Sequence, residues 1–193
     1  MGKISKRQRK IGICDIENAR GDTCYNVWVS MIGRCYTTNT RPRDKSYIGC
    51  EVCQDWLTYS NFHNWFYAPN NGYVKGYNLD KDIISKGNKI YSPSTCCFIP
   101  QELNKMFTKR KSRRGEFPIG VIISKSGKYD SRIKIDKKDY YLGAYTTIEE
   151  AFNAYKNAKE RHIRNVAKKY FQEGKITERV YNALMKYEVE ITD

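Results

Sequence analysis

The sequence has few histidines and no long apolar run. His63 and His162 are its only histidines, so a histidine base or ligand can come from two positions alone. No stretch approaches the roughly 20 apolar residues that span a bilayer, and no apolar core follows the basic N-terminus as it does in a signal peptide. Lys6 stands where a myristoylation signal requires Ser or Thr. These absences predict an intracellular protein that does not associate with a membrane.

Cysteines at zinc-ligand spacing are also scarce. The seven cysteines are an odd number, and only Cys50 and Cys53 form a C-x-x-C pair. A structural zinc site needs a second pair, and the best candidates, Cys96 and Cys97, are adjacent, which departs from normal ligand spacing. The alternative is that these cysteines are small apolar side chains in a core. We therefore expect neither zinc nor a disulfide framework.

Acidic residues are outnumbered by basic ones. The chain has 35 Lys and Arg against 21 Asp and Glu, a net charge of +14 and a pI near 9.4. An excess of this size is typical of proteins that bind polyanions. A hydrophobic content of 40% over 193 residues predicts one or two folded domains rather than a disordered chain. Nucleic acid is the partner that the composition favours, with duplex DNA and structured RNA both open.

Composition divides the chain into five predicted segments. In order they are a basic N-terminal arm, a first domain rich in Trp, Tyr and Cys, a basic linker, a second domain and a C-terminal helix, at 1–20, 21–108, 109–116, 117–172 and 173–193. In the last segment, Thr177 is the predicted N-cap of a helix from Ile176 to Glu190. The linker supplies five candidate DNA contacts, Lys109, Arg110, Lys111, Arg113 and Arg114.

The second domain has the pattern of a three-stranded antiparallel sheet followed by a helix. Strands are predicted at 120–126, 128–136 and 139–147, separated by short turns. Thr147 and Glu150 then form a capping box at the start of an amphipathic helix. The predicted fold class is therefore α+β, with the sheet packed on a helix.

The middle strand alternates apolar and charged residues. Tyr129, Ser131, Ile133 and Ile135 fall on one face, and period-two geometry sends the intervening residues to the other. A DNA major groove admits a β-ribbon, so this second face is a candidate DNA-binding surface. The alternative is a solvated charged face without a partner. The residues on this face are Lys128, Asp130, Arg132 and Lys134.

Several separated positions in 117–172 carry a resemblance. They are Gly120-Val121, Tyr129, Arg132-Ile133, Leu142-Gly143-Ala144-Tyr145, Glu149-Glu150-Ala151 and Ala154-Tyr155. This combination resembles the AP-two (APETALA-type) DNA-binding domain of plant transcription factors and of phage and mobile-element endonucleases. The resemblance implies that the sheet lies in the DNA groove and that Arg132, Lys134 and Tyr141 contact bases or backbone. The first strand departs from the plant pattern, with Ile122, Ser124 and Ser126 where those proteins carry Arg and Trp.

The first domain is predicted to combine two core helices with short strands. Helices are expected at Tyr25 to Tyr36 and Gln54 to Tyr67, with Trp28, Trp56 and Trp65 in the core. The remaining elements are a strand at Tyr47 to Cys53, a strand that ends at Asp80, an extended segment at Lys89 to Tyr91, and a helix that starts at Ser92-Pro93 and runs to Asn104.

Ordered motifs between Trp28 and Asn104 carry a second resemblance. They are Trp28-x-x-Met31-x-x-Arg34-Cys35-Tyr36, Tyr47-x-Gly49, Val52-Cys53-x-x-Trp56, Phe62, Leu79-Asp80-Lys81-Asp82, Gly87-Asn88, Tyr91-Ser92-Pro93, Cys96 and Gln101. This run resembles the HNH (ββα-metal) homing endonucleases of phages and mobile elements. The resemblance implies that Asp80 holds a divalent cation, Mg²⁺ or Mn²⁺, beside the scissile phosphate. Lys81 occupies the place of the general base, normally His, and Thr95 that of the second metal ligand, normally Asn.

Three functions follow from these two resemblances. The first is a phage or mobile-element DNA-binding protein on an HNH scaffold with weak or lost cleavage, because two of three catalytic roles are unfilled. The second is an active, metal-dependent nicking endonuclease. The third is a phage-encoded inhibitor that binds a host defence protein or nucleoprotein complex. Beside Asp80 and Asp82 the charged form of Lys81 is favoured, which suits a phosphate contact better than proton abstraction.

Overall fold

The structure, a computed structural model, describes residues 11–37, 47–107 and 116–193. The five linker cations proposed as DNA contacts, Lys109, Arg110, Lys111, Arg113 and Arg114, and the first ten residues of the basic arm lie outside these described residues. The described chain is a mixed α+β protein, as the sequence predicts. It divides into two compact units, one of residues 1–104 with 175–180 and one of residues 105–174 with 181–193. The C-terminal segment is thus shared between the two units.

The first unit begins with two helices whose apolar sides form its core. Helix α1 spans Thr23–Tyr36. The predicted second helix is interrupted, because a short 3₁₀ helix at Gln54–Leu57 ends at Thr58 before α2 starts and runs through Tyr59–Phe66. Thr58 has extended backbone angles and forms an isolated bridge with Ile13. That bridge explains why the helical pattern does not continue through Thr58.

The described residues of the first unit also form four short strands in two pairs. Strands β1 (Glu51–Val52) and β3 (Ile90–Tyr91) pair in parallel. Strands β2 (Asn78–Asp80) and β4 (Cys97–Ile99) pair antiparallel, with Asp80 opposite Cys97. Asp80 ends β2, as predicted, whereas the predicted strand at Tyr47 to Cys53 is only two residues long.

The predicted helix from Ser92-Pro93 to Asn104 is wrong. The backbone N–H groups of Thr95 and Cys96 donate to the carbonyl of Ser92 and close a tight turn. The apolar residues that follow form strand β4, and its three residues are buried. Helix α3 starts later, at Gln101–Met106, directly after Pro100. Strand pairing with β2 therefore overrides the helix-start signal at Ser92-Pro93, and the helix begins only after Pro100.

The predicted tryptophan core is present in the first unit. Trp28 and Trp56 are each 1% exposed, and the indole Nε1 of Trp28 donates to the backbone carbonyl of Trp56 at 2.7 Å. Trp65 is partly buried and stacks on Phe98, with ring centroids 5.3 Å apart. Cys24, Cys35, Cys50, Cys96 and Cys97 are also buried in this unit.

The second unit contains the predicted three-stranded sheet. Strands β5 (Val121–Ile123), β6 (Tyr129–Ile135) and β7 (Lys138–Tyr145) form an antiparallel meander in sequence order. Helix α4 (Ile148–Gln172) packs on one face of this sheet. The predicted capping box at its start is present: the Thr147 hydroxyl accepts from the Glu150 amide, and the Glu150 carboxylate accepts from the Thr147 amide.

A β-bulge in β7 sets which residues share a face. Tyr141 is opposite Arg132, but the next pair of the ladder is Gly143 with Ser131, so Leu142 is an extra residue. Tyr145 is therefore opposite Tyr129, on the helix-covered face, while Tyr141 faces away from the helix.

The final helix is shorter than predicted. Helix α5 spans Glu178–Met185 rather than Ile176 to Glu190. The amide of Val180 donates to the Thr177 hydroxyl, as expected for the predicted N-cap. Among the described residues, no helix combines the length and the apolar character needed to cross a bilayer.

Candidate functional site

The sheet face that α4 leaves uncovered is the candidate nucleic-acid interface. Asp130, Arg132 and Lys134 of β6 lie on this face, which we call the free face. The pairing register adds Ile122 of β5, opposite Asp130, and on β7 it adds Asp139, Tyr141 and Ala144. Lys128 is exposed at the end of the β5–β6 turn. The predicted contacts Lys128, Arg132, Lys134 and Tyr141 therefore all reach solvent from this sheet.

Arg132 is held between an aromatic ring and a carboxylate. Its guanidinium carbon lies 5.5 Å from the centroid of the Tyr141 ring, within the range of a cation–π contact. One guanidinium nitrogen donates to Asp130 Oδ2 at 3.5 Å, and the Tyr141 hydroxyl donates to Asp130 Oδ1 at 3.5 Å. Because both contacts restrict its rotamers, the guanidinium is presented to solvent in a defined orientation.

Lys134 forms a more exposed ion pair than Arg132 does. Its ammonium lies 3.7 Å from the Asp139 carboxylate, and both side chains are more than 60% exposed. Ion pairs as exposed as this one contribute between zero and about 1 kcal/mol to stability, so the Lys134 ammonium can leave Asp139 for a phosphate at little cost.

The free face is less positive than the sequence pattern suggests. The sequence pattern placed one carboxylate, that of Asp130, on this face. The pairing of β6 with β7 places a second carboxylate there, because Asp139 lies opposite Lys134. Each carboxylate lies within 4 Å of a cation. The three cations of the face, counting Lys128, are therefore accompanied by two carboxylates, and a polyanion would have to compete with those carboxylates for Arg132 and Lys134.

The covered face shows why this sheet keeps its shape. Ser131 is fully buried and Ile133 is 4% exposed, so these residues of β6 pack towards α4. Tyr155 of α4 is 5% exposed and its ring lies against the backbone of Gly120. The sheet is thereby fixed on the helix, and the free face has a rigid base.

In the first unit, Asp80 caps the loop that follows β2. Its Oδ1 accepts hydrogen bonds from the backbone N–H groups of Asp82 and Ile83, both at 2.8 Å. Burial raises the pKa of the Asp80 carboxyl above its usual value, and the two backbone hydrogen bonds act in the opposite direction. In the part of the chain that the structure describes, Oδ2 of Asp80 accepts no hydrogen bond.

Lys81 lies inside the unit rather than at its surface. The residue is 5% exposed, and its ammonium donates to Asp82 Oδ1 and to the carbonyl of Asn88, each at 2.7 Å. It also lies 5.9 Å from the Tyr91 ring centroid. The expectation of a side chain placed to contact phosphate or to act as a base does not match this geometry, because the ammonium is turned inward and holds the loop from Asp82 to Asn88 closed.

Thr95, in the place of the second metal ligand, is also engaged. Its hydroxyl donates to the carbonyl of Ile90 at 2.6 Å and lies 2.9 Å from the Ser92 hydroxyl. Within the described ranges, no three His, Cys, Asp or Glu side chains converge in a way that could hold a metal ion. The Asp82 carboxylate accepts from the Lys81 ammonium, and Asp80 Oδ1 accepts two backbone hydrogen bonds, so the residues present do not fit the one-metal site that the resemblance implies.

Arg179 also contacts this loop region, and no local pattern in the sequence predicts that contact. Its guanidinium donates to the carbonyl of Pro93 at 3.0 Å and also to that of Ser94. It thus fixes the turn between β3 and β4 from a position more than eighty residues further along the chain. The nearby Tyr77 hydroxyl donates to the Lys175 carbonyl at 3.1 Å, which anchors the same segment.

A tyrosine–carboxylate cluster in the first unit was also not predicted. Asp22, the N-cap of α1, accepts hydrogen bonds from the hydroxyls of Tyr67 at 2.7 Å and Tyr59 at 3.1 Å. His63 Nε2 lies 3.8 Å from the same carboxylate. Partial burial by itself would raise the pKa of the Asp22 carboxyl. The hydrogen bonds to this carboxylate and the nearby His63 outweigh burial, so the pKa of Asp22 is lowered. The cluster accounts for His63, one of only two histidines, as a structural residue.

Comparison of the chain with protein-family models, with curated proteins and with solved structures finds no match.

Proposed function

We propose that this chain is a DNA-binding protein of a phage or mobile element that docks its three-stranded sheet on duplex DNA. The observation that carries the proposal is the arrangement of Arg132, which lies over the Tyr141 ring and beside Asp130 on the sheet face that α4 does not cover. An arginine fork stacked on a tyrosine ring suits the two acceptors, O6 and N7, that guanine presents in the major groove, once guanine replaces Asp130 as the partner of the guanidinium.

The net charge of the chain also supports duplex DNA as the partner. The chain carries +14 overall, and a polyanion gives the largest gain from neutralising that charge. Duplex DNA suits a sheet better than duplex RNA does, because the RNA major groove is too deep and narrow for side chains to be inserted. The resemblance to the AP-two domain, which covers this sheet and α4, points to the same groove.

For the first unit we propose an HNH-like scaffold whose cleavage is weak or lost. Lys81 is committed to two internal hydrogen bonds, and Thr95 to two others. Neither side chain is available for the roles that the resemblance assigns to it. The unit would then act as a second contact surface on DNA rather than as a nuclease.

The test is a comparison of two charge-matched double variants. Arg132→Ala with Lys134→Ala removes one Arg and one Lys from the free face, and Arg161→Ala with Lys168→Ala removes the same charges from the exposed side of α4. Fluorescence anisotropy with a labelled duplex, repeated over a salt series, gives the affinity and its salt slope. We expect the sheet variant to lose about tenfold or more in affinity, because a bidentate base contact is worth about 1–3 kcal/mol, while the α4 variant stays near wild type.

Equal losses in the two variants would show that only net charge matters and would refute docking through the sheet. No binding of the wild type to any duplex would refute the proposal as a whole and would favour the inhibitor of a host defence complex.

A further inference from the structure

Ile122 is an exposed aliphatic side chain in the middle of a charged surface. The β5–β6 register places it opposite Asp130, and directly opposed residues of an antiparallel pair share a face. Asp130 shares that face with Arg132, two residues further along β6. Ile122 therefore lies on the free face, where it is 47% exposed. Its packing against the rest of the chain leaves much of its apolar surface for a partner.

The position of Ile122 relative to Arg132 is fixed by the same register. The amide of Arg132 donates to the carbonyl of Gly120 at 2.8 Å, so Ile122 is the diagonal neighbour of Arg132. Diagonal neighbours on one face lie about 7–8 Å apart. On β7, Ala144 lies opposite Asp130. Its side chain is small and exposed, so it leaves room for a partner beside Ile122 and Arg132.

We infer that Ile122 contacts the 5-methyl group of a thymine within about two base steps of a guanine that Arg132 binds. This inference rests on the proposed function of the sheet. The thymine methyl is the apolar group that a base edge presents in the major groove, and aliphatic side chains are its natural partners. Stacked base pairs are about 3.4 Å apart along each strand, so the spacing of Ile122 and Arg132 places the two bases within about two steps of each other.

The surroundings favour DNA over other partners for this apolar contact. A protein surface that covered Ile122 would also have to cover Arg132 and Lys134, which needs a matching set of carboxylates on the partner. RNA carries uracil, which lacks the methyl group, and its duplex major groove is too narrow for this sheet. Duplex DNA provides the methyl group and the phosphates in one surface.

The experiment replaces the methyl group itself. The full-length protein is used to select its binding site from a random duplex library, and the selected duplex is synthesised in two forms, with thymine and with deoxyuridine throughout. We expect the wild type to bind the thymine form about fourfold more tightly for one contacted methyl, the factor that corresponds to about 0.8 kcal/mol per buried carbon. Ile122→Ala is expected to bind the two forms equally.

Ile123 provides the matched control. It is the next residue on the strand, it is 55% exposed, and it is opposite Tyr129 on the other face of the sheet. Ile123→Ala should keep the wild-type preference for thymine, and Ile122→Val should keep much of it. Thermal melting checks that each variant is folded. We expect wild-type melting temperatures, because both side chains are exposed.

The outcomes separate this inference from the proposed function. Wild-type protein that binds both duplex forms equally, a selected site without thymine, or an unchanged preference in Ile122→Ala overturns the role of Ile122 while DNA binding stands. An equal loss of preference in Ile122→Ala and Ile123→Ala also overturns it. Absence of binding to either form, by contrast, is the failure of the proposed function.

Discussion

The ring of Tyr155 lies so close to Gly120 that no side chain fits between them. A Cβ atom at Gly120 would come within 2.0 Å of Cδ2 of the tyrosine ring. Gly120 also has a φ of +82°, a backbone conformation that other residues rarely adopt. This pair joins the start of β5 to α4, so it fixes the first strand of the free face.

Gly120→Ala should therefore destabilise the second unit strongly. Left-handed strain and overpacking together predict a loss of about 2–4 kcal/mol in the free energy of unfolding. Gly127→Ala is the control, because Gly127 has a similar φ of +79° but nothing within 4 Å of an added Cβ. Gly127→Ala should cost about 1–2 kcal/mol, the penalty of the left-handed backbone alone. Urea denaturation compares the two, and equal losses would show that the Tyr155 contact is unimportant.

Trp56→Ala should destabilise the first unit by about 3–5 kcal/mol, because it empties a buried aromatic position. Trp28→Phe should cost less, about 1–3 kcal/mol, since it removes the donor to the Trp56 carbonyl but keeps a ring. Val74→Ala, at a position 50% exposed, is the control and should melt like the wild type. A normal melting temperature for Trp56→Ala would contradict its burial in the core.

Lys81→Met should destabilise the loop between β2 and β3. The methionine keeps the length of the side chain but leaves the half-buried Asn88 carbonyl without its donor, at a cost of up to about 1–3 kcal/mol, while the exposed Asp82 carboxylate is hydrated instead. Lys75→Met changes the same charge at an exposed position of the same unit and should be neutral. Hydrogen exchange at the amides of 82–88 gives the local effect, and unchanged protection in Lys81→Met would place the ammonium outside the loop.

The Asp22 cluster predicts a pH-dependent stability. Because the folded state lowers the pKa of Asp22, the cluster stabilises the protein above the unfolded pKa of about 3.9 and loses that contribution as the pH falls through the folded pKa. Asp22→Asn, which keeps a residue able to cap α1, should be less stable than the wild type at pH 7 and should approach it at low pH. A stability difference that does not change with pH would contradict this role.

Tyr67→Phe tests the same cluster from the other side. It removes the 2.7 Å hydrogen bond to Asp22, so the pKa of that carboxyl should rise. An NMR titration of the Asp22 side chain measures the shift directly, and an unchanged pKa would show that the Tyr67 hydroxyl does not act on it.

Plasmid nicking should be absent or very slow in both Mg²⁺ and Mn²⁺. Among the described residues near Asp80, the Asp82 carboxylate is paired with the Lys81 ammonium and no base is available, so too few groups remain for hydrolysis by a one-metal mechanism. The assay follows conversion of supercoiled to open-circular DNA by wild type and by Asp80→Ala. Robust nicking that is lost in Asp80→Ala would overturn the DNA-binding assignment of the first unit and support an active endonuclease.

Period-two and period-3.6 patterns predicted most of the second unit. The alternation around Arg132 gave β6 and its two faces, and Thr147 with Glu150 gave the first turn of α4, since both signals are local in sequence. The exposure of Arg132 and Lys134 followed from the same alternation. What the alternation could not give was Asp139, whose place beside Lys134 depends on the pairing of β7.

The first unit was harder to predict because its elements are short and depend on distant partners. Ser92-Pro93 has the local chemistry of a helix start, but pairing of Leu79 with Phe98 makes the following residues a strand. The burial of Lys81 depends on a carbonyl seven residues away, and the hydrogen bonds of Arg179 reach back across the chain. The partners of Leu79 and Arg179 lie outside any short window of sequence, and the Lys81 contact depends on how the loop from Asp82 to Asn88 folds.

Because of the bulge, Leu142 has no opposite residue on β6. Tyr141 and Tyr145 are four positions apart and would share a face in a regular strand, but the extra residue puts them on opposite faces. Deletion of one residue between the β6–β7 turn and Leu142, such as Tyr140, would remove the bulge. Leu142 would then lie opposite Arg132, and the pairing from Gly143 onward would not change. Loss of a single codon could thus exchange an aromatic for an aliphatic side chain on the free face without changing the other half of the strand, so length changes as well as substitutions can diversify this surface during evolution.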